Sequence, residues 1–233
     1  MAAEELTERG EAMDETPGNQ SSTAAPSPVR VIVIEDDQRL REYAIGALVG
    51  ASEIAVVGEA ATLAEGLELV DLQPDMVLLD LGLPDGSGIA VIEAVRARVP
   101  LCRILVFTVF EDRASVLGTL KAGADGYILK DTTAEMVLGH VRAVMAGETP
   151  ISARAAGHLL TLVRDDPPPA SPEQAKSVPH LSPRERELLE YLARGLARKE
   201  VARLMELSPY TVAEYMQGIY RKLQVRSRGG GGI

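Results

Sequence analysis

The chain has 233 residues, of which 46% are hydrophobic and only 3% aromatic, and its formal net charge is −10. That length suits two domains with aliphatic cores, and no apolar run approaches the ~20 residues of a membrane helix. The lone cysteine, Cys102, excludes an internal disulfide, and the acidic start MAAEELTERG lacks the apolar stretch of a secretory signal, so a cytoplasmic protein is expected.

Charge is distributed unevenly. Residues 29–150 hold nineteen acids and ten bases, a net −9, whereas residues 181–233 hold six acids and ten bases, a net +4. An acidic body joined to a basic end predicts two domains with different partners. Residues 1–28 carry six acids and one base, end in NQSSTAAPSP and show no periodicity, so they read as a disordered acidic leader.

From Val29 onward, short apolar runs alternate with amphipathic stretches. The runs are VRVIVIE, EIAVVGEA, DMVLLD, RILVFT and GYILK; between and after them lie helical patterns over Arg39–Val49, Thr62–Leu72, Gly88–Arg98, Asp112–Ala122 and Thr132–Ala146. Unbroken Val/Ile/Leu strands separated by helices specify a parallel sheet covered on both faces. The fold class expected for 29–150 is therefore α/β, a flavodoxin-like, doubly wound five-stranded sheet in the order 2-1-3-4-5. Cys102 falls on a strand, where it reads as packing. Residues 151–180 form the expected linker, with a possible helix over 151–164 and then the Pro-rich stretch DDPPPASPEQAKSVPH.

The last part, 181–228, predicts a small all-α domain. Ser182, Pro183 and Glu185 stand as N-cap, N1 and N3 of a helix that Gly195 ends. A short second helix follows in ARKEVARLME, and Ser208 caps a third that runs to about Leu223. Two helices joined by a tight turn make a helix-turn-helix pattern. Its apolar positions Val201, Leu204, Leu207, Val212, Met216, Ile219 and Leu223 are read as core. The Gly-rich tail 229–233, GGGGI, disfavours a further helix at about 0.8–1.0 kcal/mol per glycine.

The apolar runs end in chemistry. Strand one ends in Glu35-Asp36-Asp37, strand three in Asp80, strand four in Thr108 and strand five in Lys130. In an open α/β sheet these ends converge on one crevice. Clustered carboxylates repel unless a cation offsets them, and hard oxygen ligands suit Mg²⁺. A hydroxyl and an ammonium beside them would receive a phosphoryl group, and a carboxylate can act as the nucleophile that takes it. Asp80 is the candidate, because it is central and its following turn, GLPDGSG, permits close backbone approach.

These segments, VIVIEDD, PDMVLLDLGLPDGSG, VFT and GADGYILKD, resemble the receiver domain of two-component response regulators over about Val29 to Gly147. The resemblance implies Asp80 as phosphoacceptor and Glu35, Asp36, Asp80 and the Gly82 backbone carbonyl as Mg²⁺ ligands. It implies Thr108 and Lys130 as phosphoryl-binding groups and Tyr127 as the switch aromatic. Val109 stands where a small residue is usual, which predicts narrowed access to the site. LSPRERELLEYLARGLARKEVARLMELSPYTVAEYMQGIYRKLQVRSR in turn resembles the LuxR-type helix-turn-helix, a combination typical of the NarL/FixJ branch.

The DNA-facing set implied by that second resemblance is Ser208, Tyr210, Thr211, Ala213, Glu214, Gln217, Arg221 and Lys222. It is poorer in bases than the family pattern, and the fourth helix of that domain is expected to be missing. The expected function is a phosphorylation-dependent transcription regulator and not an enzyme. Its implied partners are a sensor histidine kinase and promoter DNA, with dimerisation on activation. Two alternatives stand beside it: a regulator acting through protein contacts with weak DNA binding, and a metal-dependent phosphohydrolase. The second lacks a further acid where Gly82 stands.

Overall fold

A computed structural model describes residues 27–164 and 181–224. The acidic leader, apart from its last two residues, the Pro-rich part of the linker and the Gly-rich tail lie outside these residues. The strands are β1 (Val29–Ile34), β2 (Ile54–Ala60), β3 (Met76–Leu79), β4 (Gly82–Leu83), β5 (Gly86–Ser87), β6 (Arg103–Thr108) and β7 (Gly126–Leu129). Five of them form a sheet in the order β2-β1-β3-β6-β7, all neighbours parallel. In chain order of the long strands this is 2-1-3-4-5, the expected topology. It places β1 and β3 side by side at the switch point.

The first five helices are α1 (Gln38–Val49), α2 (Leu63–Leu69), α3 (Ile89–Arg98), α4 (Arg113–Ala122) and α5 (Ala134–Met145). Their starts fall one or two residues inside most of the predicted windows because polar caps precede them. Asp37, Thr62, Asp112 and Thr133 keep extended backbones and accept from the first-turn N–H groups of α1, α2, α4 and α5. The predicted second helix is divided, since Val70–Leu72 continues as a 3₁₀ turn. The hairpin of β4 and β5 was not foreseen. It has two residues a side and begins two residues past Asp80.

Strand alternation builds two cores. Val31, Val33, Met76, Leu78, Leu105 and Phe107 point to the face covered by α1 and α5, through Ala44, Leu48, Val137, Val141 and Val144. Ile32, Ile34, Val77, Leu79, Ile104 and Val106 point to the other face, under Val91, Ile92, Val95, Val116 and Leu120 of α3 and α4. Each such aliphatic side chain contributes about 1.5–3 kcal/mol when fully buried. Cys102 is 2% exposed and burial pushes its thiol up to about 12, so it packs and does not react.

The helical part comprises α6 (Ala153–Arg164), α7 (Pro183–Ala193), α8 (Arg198–Leu204) and α9 (Pro209–Gln224). The predicted capping box is present on α7: Ser182 Oγ accepts from Glu185 N at 3.2 Å, and Glu185 Oε2 accepts from Ser182 N at 2.6 Å. Gly195 ends that helix region with φ +85°. The face of α6 bearing Ala155, Ala156 and Leu159 is buried in the second core, which runs on through Leu188, Leu189, Val212 and Met216. Both α6 and α9 touch α4. Just before α6, residues 150–152 cover the open edge of β7: Tyr127 N donates to Pro150 O and Ser152 N to Tyr127 O, each at 2.9 Å.

Candidate functional site

β1 and β3 both end at one rim of the sheet, where Asp80 N donates to Ile34 O at 2.8 Å. That pairing sets the carboxylates of Glu35, Asp36 and Asp80 together: one oxygen from each lies within 4.8 Å of the others. β7 delivers Lys130 to the same spot. Its Nζ lies 2.7 Å from both Glu35 oxygens and 2.8 Å from Asp80 Oδ2. Glu35, Asp80 and the Lys130 side chain are almost fully buried, whereas Asp36 is exposed.

Burial pushes the Glu35 carboxyl up to about 7; the Lys130 ammonium opposes that rise and the Asp80 charge adds to it. Burial alone would lower Lys130, but Asp80 and Glu35 outweigh it and hold the ammonium above its ordinary value. The second Asp80 oxygen accepts from Leu81 N at 2.7 Å. The turn beyond comes very close: a Cβ on Gly88 would stand 2.3 Å from Asp80 O, so only glycine fits there.

Asp37, the third acid of the run, does different work. Its Oδ1 accepts from Arg39 N at 2.8 Å and Leu40 N at 3.0 Å, capping α1. Thr108 is fully buried at the end of β6 and accepts from Phe110 N at 3.4 Å. Tyr127 is also fully buried and donates its hydroxyl to Phe110 O at 2.7 Å; burial holds that phenol above its ordinary value. Val109 is 63% exposed, and the ring beside Gly82 is that of Phe110. A Cβ on Gly82 would stand 2.9 Å from the Phe110 ring and 3.7 Å from Asp80 Oδ2. Sequence reading passed over Phe110. The available signal was its rarity, one of two phenylalanines in the chain, set two residues past a strand-end threonine.

Three carboxylates facing one ammonium leave a site short of positive charge. A hard dication with oxygen preference fits that donor set.

The residues expected to meet DNA are dispersed. Ser208, Tyr210 and Glu214 are exposed near the start of α9, and Ser208 is occupied in capping, with Thr211 N donating to its Oγ at 3.0 Å. Ala213 is 7% exposed. Gln217 donates to Gly147 O, and Lys222 Nζ reaches Glu185 Oε2 at 2.6 Å. Arg221 lies with Arg103, Asp125, Thr149 and Tyr220 around a cleft of about 210 Å³ between α9 and the lower end of the sheet.

A five-stranded 2-1-3-4-5 sheet with this acidic rim, followed by a capped helix-turn-helix, defines a receiver module with a helical output module. Residues 31–142 match the response regulator receiver domain, and residues 179–230 match the luxR family of bacterial regulatory proteins. The chain is 34% identical to the nitrate/nitrite response regulator NarL of Escherichia coli K12, over 86% of this chain and 92% of that one. It is 32% identical to the DNA-binding transcriptional activator DevR/DosR of Mycobacterium tuberculosis, over 86% and 90%. Among solved structures, a two-component response regulator of the LuxR family from Aurantimonas shares 31% identity with a TM-score of 0.51, over 57% of this chain and 95% of that one. RcsB of Salmonella typhimurium shares the fold, with a TM-score of 0.52 at 20% identity over 85% and 93%. The chain belongs to the NarL-type response regulators, in which a receiver domain is joined to a LuxR-type DNA-binding domain. Among the described residues, no helix is long and apolar enough to cross a membrane.

Proposed function

We propose that residues 29–150 are a receiver that takes a phosphoryl group on Asp80 from a sensor histidine kinase and thereby controls promoter binding by residues 181–228. The observation that carries this reading is the buried Lys130 ammonium set between Glu35 and Asp80. Such an arrangement sets an ammonium donor beside the Asp80 oxygens, where it can also reach incoming phosphoryl oxygens. Glu35, Asp36, Asp80 and the Gly82 carbonyl would hold Mg²⁺, which neutralises phosphoryl charge when bound. Thr108, at the next strand end, supplies a hydroxyl that can donate to a phosphoryl oxygen while still accepting from Phe110 N.

A phosphoryl group of about −1.5 to −2 charge, replacing the single charge of the Asp80 carboxylate and extending further from the rim, biases the β6–α4 loop, to which Thr108 and Tyr127 are hydrogen-bonded. The same loop side of the receiver meets α6, and α4 meets α9. Phosphorylation would release α9 and permit a dimer on DNA. Incubating the chain with acetyl phosphate and Mg²⁺ and weighing it tests the assignment: one phosphoryl group is expected, absent in Asp80→Asn. A gain that survives the substitution refutes it.

A second reading, in which output runs through protein contacts with little DNA affinity, is favoured by α9 itself. Glu214 is exposed where phosphate would approach, and Gln217 and Lys222 are engaged within the protein. Anisotropy titration of the phosphorylated chain against promoter duplexes decides between the two.

A further inference from the structure

The end of the sheet opposite the acidic rim meets the output module. β6 and β7 begin there, and the cleft of about 210 Å³ lies between them and α9. No aliphatic side chain lines it, so it is not built for an apolar ligand. Two of its residues stand out, one from each module. Thr149 is 7% and Tyr220 3% exposed, and neither hydroxyl has a hydrogen-bond partner among the described residues. Buried hydroxyls are ordinarily met by protein, by ordered water or by an ion. Bulk solvent does not reach these two, so a partner for either would lie inside the cleft.

The charge of the cleft selects that partner. Two carboxylates line it, and both are already matched. Asp125 is held by Arg96 at 2.5 Å and by Arg103 at 3.2 Å, and its Oδ2 also accepts from Ile104 N at 2.8 Å. Glu148 pairs with Arg198. Arg221 is exposed, and among the described residues no carboxylate pairs with it. Arg96, Arg103, Arg198 and Arg221 thus stand against Asp125 and Glu148, four positive charges to two negative. Guanidiniums and hydroxyls are donors, and a phosphate-class oxyanion offers the acceptors they lack. The volume has room for such an ion, since one water takes about 30 Å³ in the liquid. A DNA duplex cannot reach hydroxyls buried this deeply, whereas a small free ion can.

We propose that this cleft binds a small oxyanion of the phosphate class, with Arg221 as its main charge partner, Tyr220 and Thr149 donating their hydroxyls and Arg103 adding charge from β6. The site lies at the starts of the strands, whereas Asp80 follows the end of β3. It therefore stands whether or not Asp80 takes a phosphoryl group. Its ligands come from both modules, Thr149 from the turn after α5 and Tyr220 and Arg221 from α9. A bound ion ties α9 to the receiver and withdraws Arg221 from other anions. It adds charge to the contact of Gln217 with Gly147 O, which joins the same two segments without any.

The test uses the full chain in EDTA, so that no divalent cation draws phosphate to the acidic rim. Inorganic phosphate is titrated by calorimetry, and unfolding midpoints are compared in phosphate and in potassium chloride of equal ionic strength. One phosphate per chain is expected, with a higher midpoint in phosphate than in chloride. Arg221→Gln should weaken phosphate binding about tenfold, and Tyr220→Phe and Thr149→Val about threefold each. Arg186→Gln, exposed on α7 and outside the cleft, should leave it unchanged. The two hydroxyl deletions are nearly isosteric. Each should raise the midpoint in chloride, by removing a buried donor without a partner, and lose that advantage in phosphate. An equal gain in both buffers overturns the part given to the hydroxyls. A phosphate effect no greater than that of chloride, or one that Arg221→Gln leaves intact or Arg186→Gln weakens equally, overturns the site. Losses from the α9 substitutions with none from Thr149→Val overturn the bridge between modules.

Discussion

At the carboxyl rim of the sheet, Glu35, Asp80 and Lys130 come from three strands, up to 95 residues apart, and engage one another. Along α9, residues one or two turns apart engage in separate directions: Ser208 in its own cap, Gln217 at Gly147, Lys222 at Glu185. The rim is a site whose geometry is internal to one sheet. The helix is a surface whose availability depends on how two modules sit together. Perturbing each should therefore give different signatures, stability and proton uptake at the rim, salt-dependent DNA binding at α9.

The largest effect is expected at the rim. Lys130→Met leaves two nearly buried carboxylates facing each other, and breaking such a pair costs about 3 kcal/mol. The sign with pH follows from Glu35, whose folded value is already raised from 4.5 to about 7. A raised folded value gives stability that is present below 4.5 and lost as pH rises through 7. Without the ammonium, Glu35 rises further and the loss extends to higher pH. Urea midpoints of variant and wild type should diverge most at pH 8 and least at pH 5. Equal midpoints at pH 8 would mean that Lys130 does not hold the acids together.

A second comparison separates neighbouring acids. Asp36→Ala should weaken Mg²⁺ binding about tenfold in titration calorimetry, with little change in stability, because Asp36 is exposed and belongs to the cluster. Asp37→Ala should do the reverse, lowering the urea midpoint through loss of the α1 cap and leaving Mg²⁺ affinity unchanged. Equal losses of affinity from both would show that the acidic pair is displaced by one residue.

These two acids also show how much could be read beforehand. The apolar run of β1 stops at Ile34, so the register of Glu35 and Asp36 followed from the sequence, as did the strand order that joins β1 to β3. The cap Ser182 was legible as a polar residue before an amphipathic stretch, whereas Thr62, Asp112 and Thr133 were read as part of their helices and are caps instead. What could not be read depends on long-range placement. β4 and β5 are too short to show any periodicity. The bond from Tyr127 to Phe110, the covering of the β7 edge by residues 150–152 and the contact of α6 with Glu111 join segments 17 to 47 residues apart with no local pattern. Val109 was expected to narrow the site because a small residue is usual at its position; β6 ends at Thr108, the chain bends at Val109, and that side chain is 63% exposed.

The output module offers a pH signature of opposite sign. Burial alone would raise the Glu185 carboxyl, but Lys222 and the Ser182 N–H together hold it below 4.5. A lowered folded value contributes stability that is present above 4.5 and is lost as pH falls through the folded value. Glu185→Gln should cost about 1 kcal/mol at neutral pH and flatten the acid limb of the unfolding curve. A variant whose acid limb matches wild type would show that the Lys222 contact is not maintained in solution.

The smallest effect tests the contact between modules from the receiver side. Glu148, just past α5, pairs with Arg198, the first residue of α8. Both side chains are about one-third exposed, and such a pair is worth at most about 1 kcal/mol. Glu148→Ala therefore cannot unfold anything, yet it removes a carboxylate that competes with DNA phosphate for Arg198 and loosens the seat that holds Gln217 at the adjoining Gly147. Binding to a promoter duplex should rise about two- to fivefold at low salt. If Arg198 then neutralises one phosphate, the slope of log affinity against log salt should steepen by about 0.9. A distant carboxylate with no role in docking would shift affinity slightly through net charge and leave the slope alone. Anisotropy titrations at three salt concentrations distinguish the two, and an unchanged slope would place Arg198 away from DNA and leave α9 without help from α8.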